Sequence, residues 1–305
     1  MFKQILVPLD GSPLAEAVLP HATVFAKAYG AQLVLMGVVD PAGLEVHEDY
    51  QRYVSPLVER GQEWFRLYLE EAADRRQREG VSTRTEVAVG PVPETISAYA
   101  ERSSIDLIAM STHGRSGPER WMLGSVTDRV LHHCHTPMLI IRPTEQGAPP
   151  PTVKTLIVPL DGSDLGEAAL PYARDVARQM KLRAVLVEVV SPGLATYGEA
   201  EAFSGFPEEM IGHMEATAAE YLAGIAERFL ADGSQCDTKV LVGPVSASLT
   251  EFAKTEPASL IAMSTHGRSG VARTVLGSVA DRMVRSSGDA VLVVRPGGGE
   301  GRANS

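Results

Sequence analysis

Cysteine is nearly missing from this sequence: Cys134 and Cys236 are the two in 305 residues. They fall at non-equivalent places, so no disulfide framework is read, and a reduced, cytoplasmic protein is expected. No signal peptide is recognised and no apolar run is long enough to span a bilayer, so a membrane is not an expected partner. Positive charge is also scarce. Lys and Arg total 28 against 38 Asp and Glu, giving a formal charge of -10 and a pI near 5.3. A duplex binder needs a basic surface to release counterions, so nucleic acid is not an expected partner either. A single small anion stays open, because backbone donors act locally whatever the net charge. Catalytic equipment is lacking too. No GxxxxGK[ST] run supplies a lysine to terminal phosphates, and no base stands paired with a nucleophile, so no catalytic residue is assigned.

What is present is repetition. VPLDGS occurs at Val7 to Ser12 and again at Val158 to Ser163, an offset of 151 residues. LIAMSTHGRSG, from Leu107 to Gly117, recurs unchanged from Leu260 to Gly270, and LGSV recurs at Leu123 and Leu276, both at an offset of 153. So long a period marks duplicated domains rather than a solenoid. With 44% hydrophobic residues the chain can fill two ordinary cores. The division expected is a domain over 1–146, a stiff proline-rich linker over Gly147 to Thr152, a second domain over 153–296, and a tail over 297–305 too polar to fold.

Within each copy, short apolar runs alternate with longer stretches of helical period, the pattern of βαβ units and a parallel sheet. Five strands are expected per copy. They are Ile5 to Leu9, Leu33 to Val39, Thr85 to Val89, Leu107 to Met110 and Met138 to Arg142, then Leu156 to Leu160, Val185 to Val190, Lys239 to Val242, Leu260 to Met263 and Ala290 to Arg295. Several are apolar throughout, as strands buried on both faces should be. Ser12-Pro13 reads as an N-cap and first helical residue, while Pro20, matched by Pro171, should kink or shorten the helix that follows.

The combination of VPLDGS after the first strand with GRSGPERWMLGS after the fourth resembles the universal stress protein family, here in tandem and over nearly the whole chain. The resemblance implies an α/β fold of two doubly wound, five-stranded parallel-sheet domains in the order 3-2-1-4-5, adenine nucleotide alpha hydrolase-like. ATP-binding members of that family carry GxxG, nine residues, then Gly followed by Ser or Thr. Here Ser111-Thr-His-Gly114 leads through nine residues to Gly124-Ser125, and Ser264-Thr-His-Gly267 through nine to Gly277-Ser278. The spacing is kept, while a serine side chain stands at the first glycine of each copy. Asp10 and Asp161, and GPVPETI from Gly90 with its diverged partner GPVSASL from Gly243, also match the family.

Open parallel sheets bind ligands outside the carboxyl ends of their strands, where strand order reverses. The order 3-2-1-4-5 puts that point between strands one and four, the two followed by the repeated motifs. Glycines at 114 and 117 let a loop approach phosphates, and Gly124-Ser125 opens a helix whose free amides favour an anion. The candidate ligand residues are therefore Pro8, Leu9, Asp10, Val39, Met110, Ser111, Gly114, Arg115, Gly124, Ser125 and Val126 in the first copy. In the second they are Pro159, Leu160, Asp161, Val190, Met263, Ser264, Gly267, Arg268, Gly277, Ser278 and Val279. Phosphates are expected against the amides of Gly114 to Arg115 and Gly124 to Val126, and of Gly267 to Arg268 and Gly277 to Val279, with adenine near Pro8 to Asp10 or Pro159 to Asp161, beside Val39 or Val190.

Several of these residues carry a second reading. Ser125 with Asp128, and Ser278 with Asp281, also fit a capping box. Asp10 and Asp161 fit ordinary Asp-Gly-Ser turn chemistry. Val38, Val39, Val189 and Val190 fill core whether or not they wall a pocket. Arg115 and Arg268 fit solvated loop residues as well as phosphate ligands. The run His132-His133-Cys134-His135 has zinc-ligand chemistry, but neighbours on a helix diverge and the equivalent segment from Val284 holds no ligand type, so no metal site is assigned. A pyrophosphatase of the related ATP-using superfamily would carry SGGxDS after its first strand, where this chain has DGSPLAE and DGSDLGE.

The function expected is a nucleotide-binding, stress-response regulatory protein that is not an enzyme. Its ligand is expected to be ATP in both copies, with AMP or cyclic AMP as alternatives and a divalent cation only with the nucleotide. A ligand-free interaction module and a slow ATPase are the competing functions. The two domains are expected to pair as an intramolecular pseudo-dimer through their last strands, and whole chains to self-associate, since like apolar edges invite pairing.

Overall fold

The computed structural model describes residues 1–41, 54–112, 123–143, 152–191, 207–256, 258–267 and 276–296. The chain divides into two compact units, Met1–Pro151 and Thr152–Ser305. Most of the linker and all of the tail expected from the sequence lie outside the described residues.

In the first unit the elements run β1 (Gln4–Pro8), α1 (Pro13–Glu16), α2 (Leu19–Tyr29), β2 (Gln32–Val39), α3 (Val54–Arg78), β3 (Thr83–Val89), α4 (Val92–Arg102), β4 (Leu107–Ser111), α5 (Ser125–His133) and β5 (Met138–Ile141). The second repeats them as β6 (Thr155–Leu160), α6 (Asp164–Glu167), α7 (Leu170–Met180), β7 (Arg183–Val190), α8 (Glu208–Ala231), β8 (Cys236–Val242), α9 (Val245–Thr255), β9 (Ser259–Ser264), α10 (Ser278–Ser286) and β10 (Ala290–Val294). All ten expected strands form, and the main differences are at their starts, where polar residues extend the ladders. β3 begins at Thr83 and β8 at Cys236, because each is hydrogen-bonded in register along β2 or β7.

Strand order within the units is β3-β2-β1-β4-β5 and β8-β7-β6-β9-β10. Pairing is parallel; Ile5 lies opposite both Leu33 and Leu107, and Leu156 opposite both Ala184 and Leu260. Ile5, Leu6 and Val7 are wholly buried, as a central strand covered on both faces requires. Right-handed crossovers then put α2 and α3 on one face of the sheet and α4 and α5 on the other, with the same arrangement in the second unit. Along β2 the side chains alternate: Gly37 and Val39 face α3, Met36 and Val38 the opposite layer.

The prolines act as expected. The helix after β1 is broken into α1 and α2, and Pro20 sits in the opening turn of α2, where its missing N–H costs no helical bond; Pro171 does the same in α7. Ser12 and Ser163 cap the short helices, each accepting from the amide three residues on.

Candidate functional site

The neighbours of β1 leave in opposite directions, so a crevice opens at its carboxyl end, between the turn after β1 and the chain after β4. Asp10 holds that turn: the Ser12 amide donates to its Oδ1 at 2.9 Å. In the second unit the Ser163 amide and hydroxyl both donate to Asp161 Oδ1, at 3.1 and 2.6 Å. The turn reading of both aspartates therefore holds, and both also line the crevice. Asp161 lies so close to Gly166 and Gly267 that a side chain at either would collide with its carboxylate.

Across the crevice stands the start of α5 or α10. Its N-cap is Gly124 or Gly277, and no side chain caps either helix, so Ser125 and Ser278 are first helical residues and the capping-box reading is overturned. The expectation for the glycine amides is corrected as well. Gly124 N–H donates to the Thr112 carbonyl at 2.6 Å and Gly277 N–H to that of Thr265 at 2.8 Å, so neither is offered to a ligand. The amides with no carbonyl four residues back are those of the first turn: Ser125 to Thr127 and Ser278 to Ala280. A helix start of this kind attracts anions through both its amides and its dipole.

Ser111 and Ser264, standing where the family pattern has glycine, are the buried last residues of β4 and β9. Ser264 Oγ accepts the His266 amide at 3.3 Å, so its hydroxyl serves its own turn. His266 also lines the second crevice, its Nδ1 paired with the Thr265 hydroxyl at 2.8 Å. His113, Gly114, Arg115, Gly117 and Arg268 lie outside the described residues.

The two crevices differ in size. That of the second unit is a cavity of about 660 Å³ lined by every described candidate of that copy, from Pro159 to Val279. It wraps the end of β7, reaching Val245 and Leu249 of α9 on one side and His213, Thr217, Ala218 and Tyr221 of α8 on the other, with Glu188 between. The first unit holds about 190 Å³, lined by Pro8, Leu9, Asp10, Met110, Ser111, Gly124, Ser125 and Val126. Val39 does not line it; Val38 does, because Val39 faces α3 and packs against Gly61.

The α3 and α8 walls are residues that sequence reasoning missed. Tyr68 donates to Glu16 Oε1 at 2.8 Å and Tyr221 to Glu167 Oε1 at 3.0 Å, anchoring each long helix to its short one. Burial, followed by the acceptor carboxylate, pushes both phenols well above the usual tyrosine range. Arg75 and Arg228 reach the other oxygens of Glu16 and Glu167 at 3.5 and 3.7 Å. The signal was in the sequence: Tyr and Arg recur at an offset of 153, Glu at 151.

Near His132, the Nδ1 atoms of His132 and His133 approach the carbonyls of Asp128 and Arg129, at 2.7 and 2.8 Å. Among the described residues no three metal-ligating side chains converge, and no helix is long and apolar enough to cross a membrane.

Two open parallel sheets in tandem, each with a switch-point crevice facing a helix start, define a duplicated, doubly wound α/β protein. A model of the universal stress protein family matches residues 1–142 and again 152–295, and the chain belongs to that family. It is 28% identical over 297 residues to a universal stress protein of Mycolicibacterium smegmatis, covering 96% of this chain and 97% of that one. A relative in Mycobacterium tuberculosis is 27% identical, with 95% and 96% covered. One from Methanocaldococcus jannaschii is 33% identical over 145 residues, 47% of this chain and 83% of its own. The crystal structure of a universal stress protein from Archaeoglobus fulgidus has the same fold, with a TM-score of 0.65, 20% identity and 96% of each chain covered.

Proposed function

We propose that this stress protein binds an adenine nucleotide, ATP before AMP or cyclic AMP, and that binding biases its contacts with regulatory partners. The observation that carries the reading is the second-unit cavity. Its volume of about 660 Å³ falls in the range of roughly 300–1,000 Å³ usual for small-molecule sites, and it ends on the free first-turn amides of α10. Those amides suit phosphates. Apolar walls from Val187, Val189, Val190 and Leu249 suit a base. The carboxylates of Asp161 and Glu188 favour the donor-bearing part of a ligand and repel its phosphates, which sets the phosphate end toward α10. A divalent cation enters only with the phosphates.

Turnover at ordinary enzyme rates is not expected, because among the described residues no base is poised for an attacking water and no lysine for the transferred phosphoryl group. A second reading, a ligand-free contact module, draws on the narrow first crevice. Mass spectrometry of gently denatured protein, with calorimetry using ATP, AMP and cyclic AMP, separates the two. Co-purified nucleotide or saturable heat supports the first; no binding of any of the three at millimolar concentration leaves the second.

A further inference from the structure

We infer that the two crevices are unequal by construction, so that the chain carries one nucleotide, in the second unit, and that Phe65 is the residue that closes the first. The inference rests on the nucleotide reading above and goes beyond it by assigning the occupied copy and its determinant.

The difference lies in one pair of positions. On β2, Gly37 faces α3, and the ring of Phe65 lies directly on it: a Cβ at residue 37 would stand 2.6 Å from Phe65 Cγ and 2.9 Å from Cε1. In the second unit the equivalent positions are Glu188 on β7 and Ala218 on α8. Large and small are exchanged between strand and helix. Phe65 is 9% exposed and occupies the space between β2 and α3, whereas Ala218 leaves the matching space open as part of the cavity. Both long helices keep the same anchor to their short helices, Tyr68 to Glu16 at 2.8 Å and Tyr221 to Glu167 at 3.0 Å. The exchange of the Phe65 ring for the Ala218 methyl accompanies the difference between about 190 and about 660 Å³. The smaller volume falls below what small-molecule sites usually provide, and the larger is well inside it.

The exchange also changes the chemistry. Closing the first crevice with a phenyl ring removes a compartment that in the second is lined by the Glu188 carboxylate and by Thr217. A ligand with polar edges is thus excluded from one unit sterically and met by hydrogen-bonding groups in the other.

Native mass spectrometry and calorimetry with ATP test this on the full chain. Wild type is expected to bind one ATP. Phe65→Ala is expected to add a second, and Glu188→Gly combined with Ala218→Phe, which rebuilds the plug in the second unit, to lose binding by at least tenfold. Circular dichroism checks that each variant folds; should the double variant not fold, Ala218→Leu is read in its place. Two ATP per wild-type chain, no second ATP on Phe65→Ala, or unchanged affinity in the rebuilt plug overturns the inference while leaving the nucleotide reading intact. No ATP on either wild type or Phe65→Ala sinks both.

Discussion

Gly37→Ala probes the Phe65 contact without touching the crevice mouth. The glycine is in ordinary strand backbone, so alanine itself gains about 0.5–1 kcal/mol from reduced chain entropy. Its methyl would lie 2.6 Å from Phe65 Cγ, where carbon atoms settle at about 3.5–4.0 Å, so the ring must retreat by roughly 1 Å. Overpacking of this kind costs about 1–3 kcal/mol, and a net loss of about 1–2 is expected. Phe65→Ala alone should lose about 3 kcal/mol, the low end for a buried ring because it borders the crevice. In the double variant the new methyl enters vacated space, so the combined loss should be smaller than that of Phe65→Ala. The coupling is therefore about 2 kcal/mol in the sense of mutual relief. Urea unfolding followed by tryptophan fluorescence reads this unit alone, since Trp64 and Trp121 both belong to it and Trp64 lies 4.9 Å from the Phe65 ring. Additivity within about 0.5 kcal/mol would refute the contact.

Three further outcomes are expected. Ser278→Asp places a carboxylate at the free amides of α10, which should weaken ATP binding by about tenfold or more while leaving the melting temperature unchanged or higher; unaltered affinity in calorimetry would put the phosphates elsewhere. Lys181 closes α7 with φ of 55°, where α2 uses Gly30 at φ of 60°, so Lys181→Gly should raise stability by about 0.5–1 kcal/mol in scanning calorimetry, and a loss would count against a strained cap. Burial pushes Asp289 up to about 6, so the folded chain holds this proton more tightly than the unfolded one, and stability should fall as pH rises from about 4 to 6. Asp289→Asn removes that slope, so the gap in melting temperature between variant and wild type should widen across the window and stay constant above it; a flat gap would mean an unperturbed carboxyl.

The fold was readable because its signals are local. Apolar runs such as ILV and LIAM name central strands, Pro20 and Pro171 name a broken helix, and the 3-2-1-4-5 order came with the resemblance. The floor of the crevice was readable from the repeated DGS and Gly-Ser motifs for the same reason. Its walls were not. That Phe65 rests on Gly37 depends on which face of α3 meets β2, a long-range packing fact that periodicity does not carry. Comparing the copies could have flagged it, but the paired positions align at different offsets, 151 for Gly37 with Glu188 and 153 for Phe65 with Ala218. The Gly124 amide was misjudged because sequence shows a helix start but not that the Thr112 carbonyl already occupies the glycine's N–H.

A crystal structure grown with ATP tests the nucleotide site most directly. Density for one nucleotide is expected in the second unit, its phosphates within hydrogen-bond distance of the amides of Ser278 to Ala280 and its base between β7 and α9 or α8, with the crevice beside Phe65 empty. Saturating ATP with no density in the second crevice, or a nucleotide seated only at the start of α5, would contradict it.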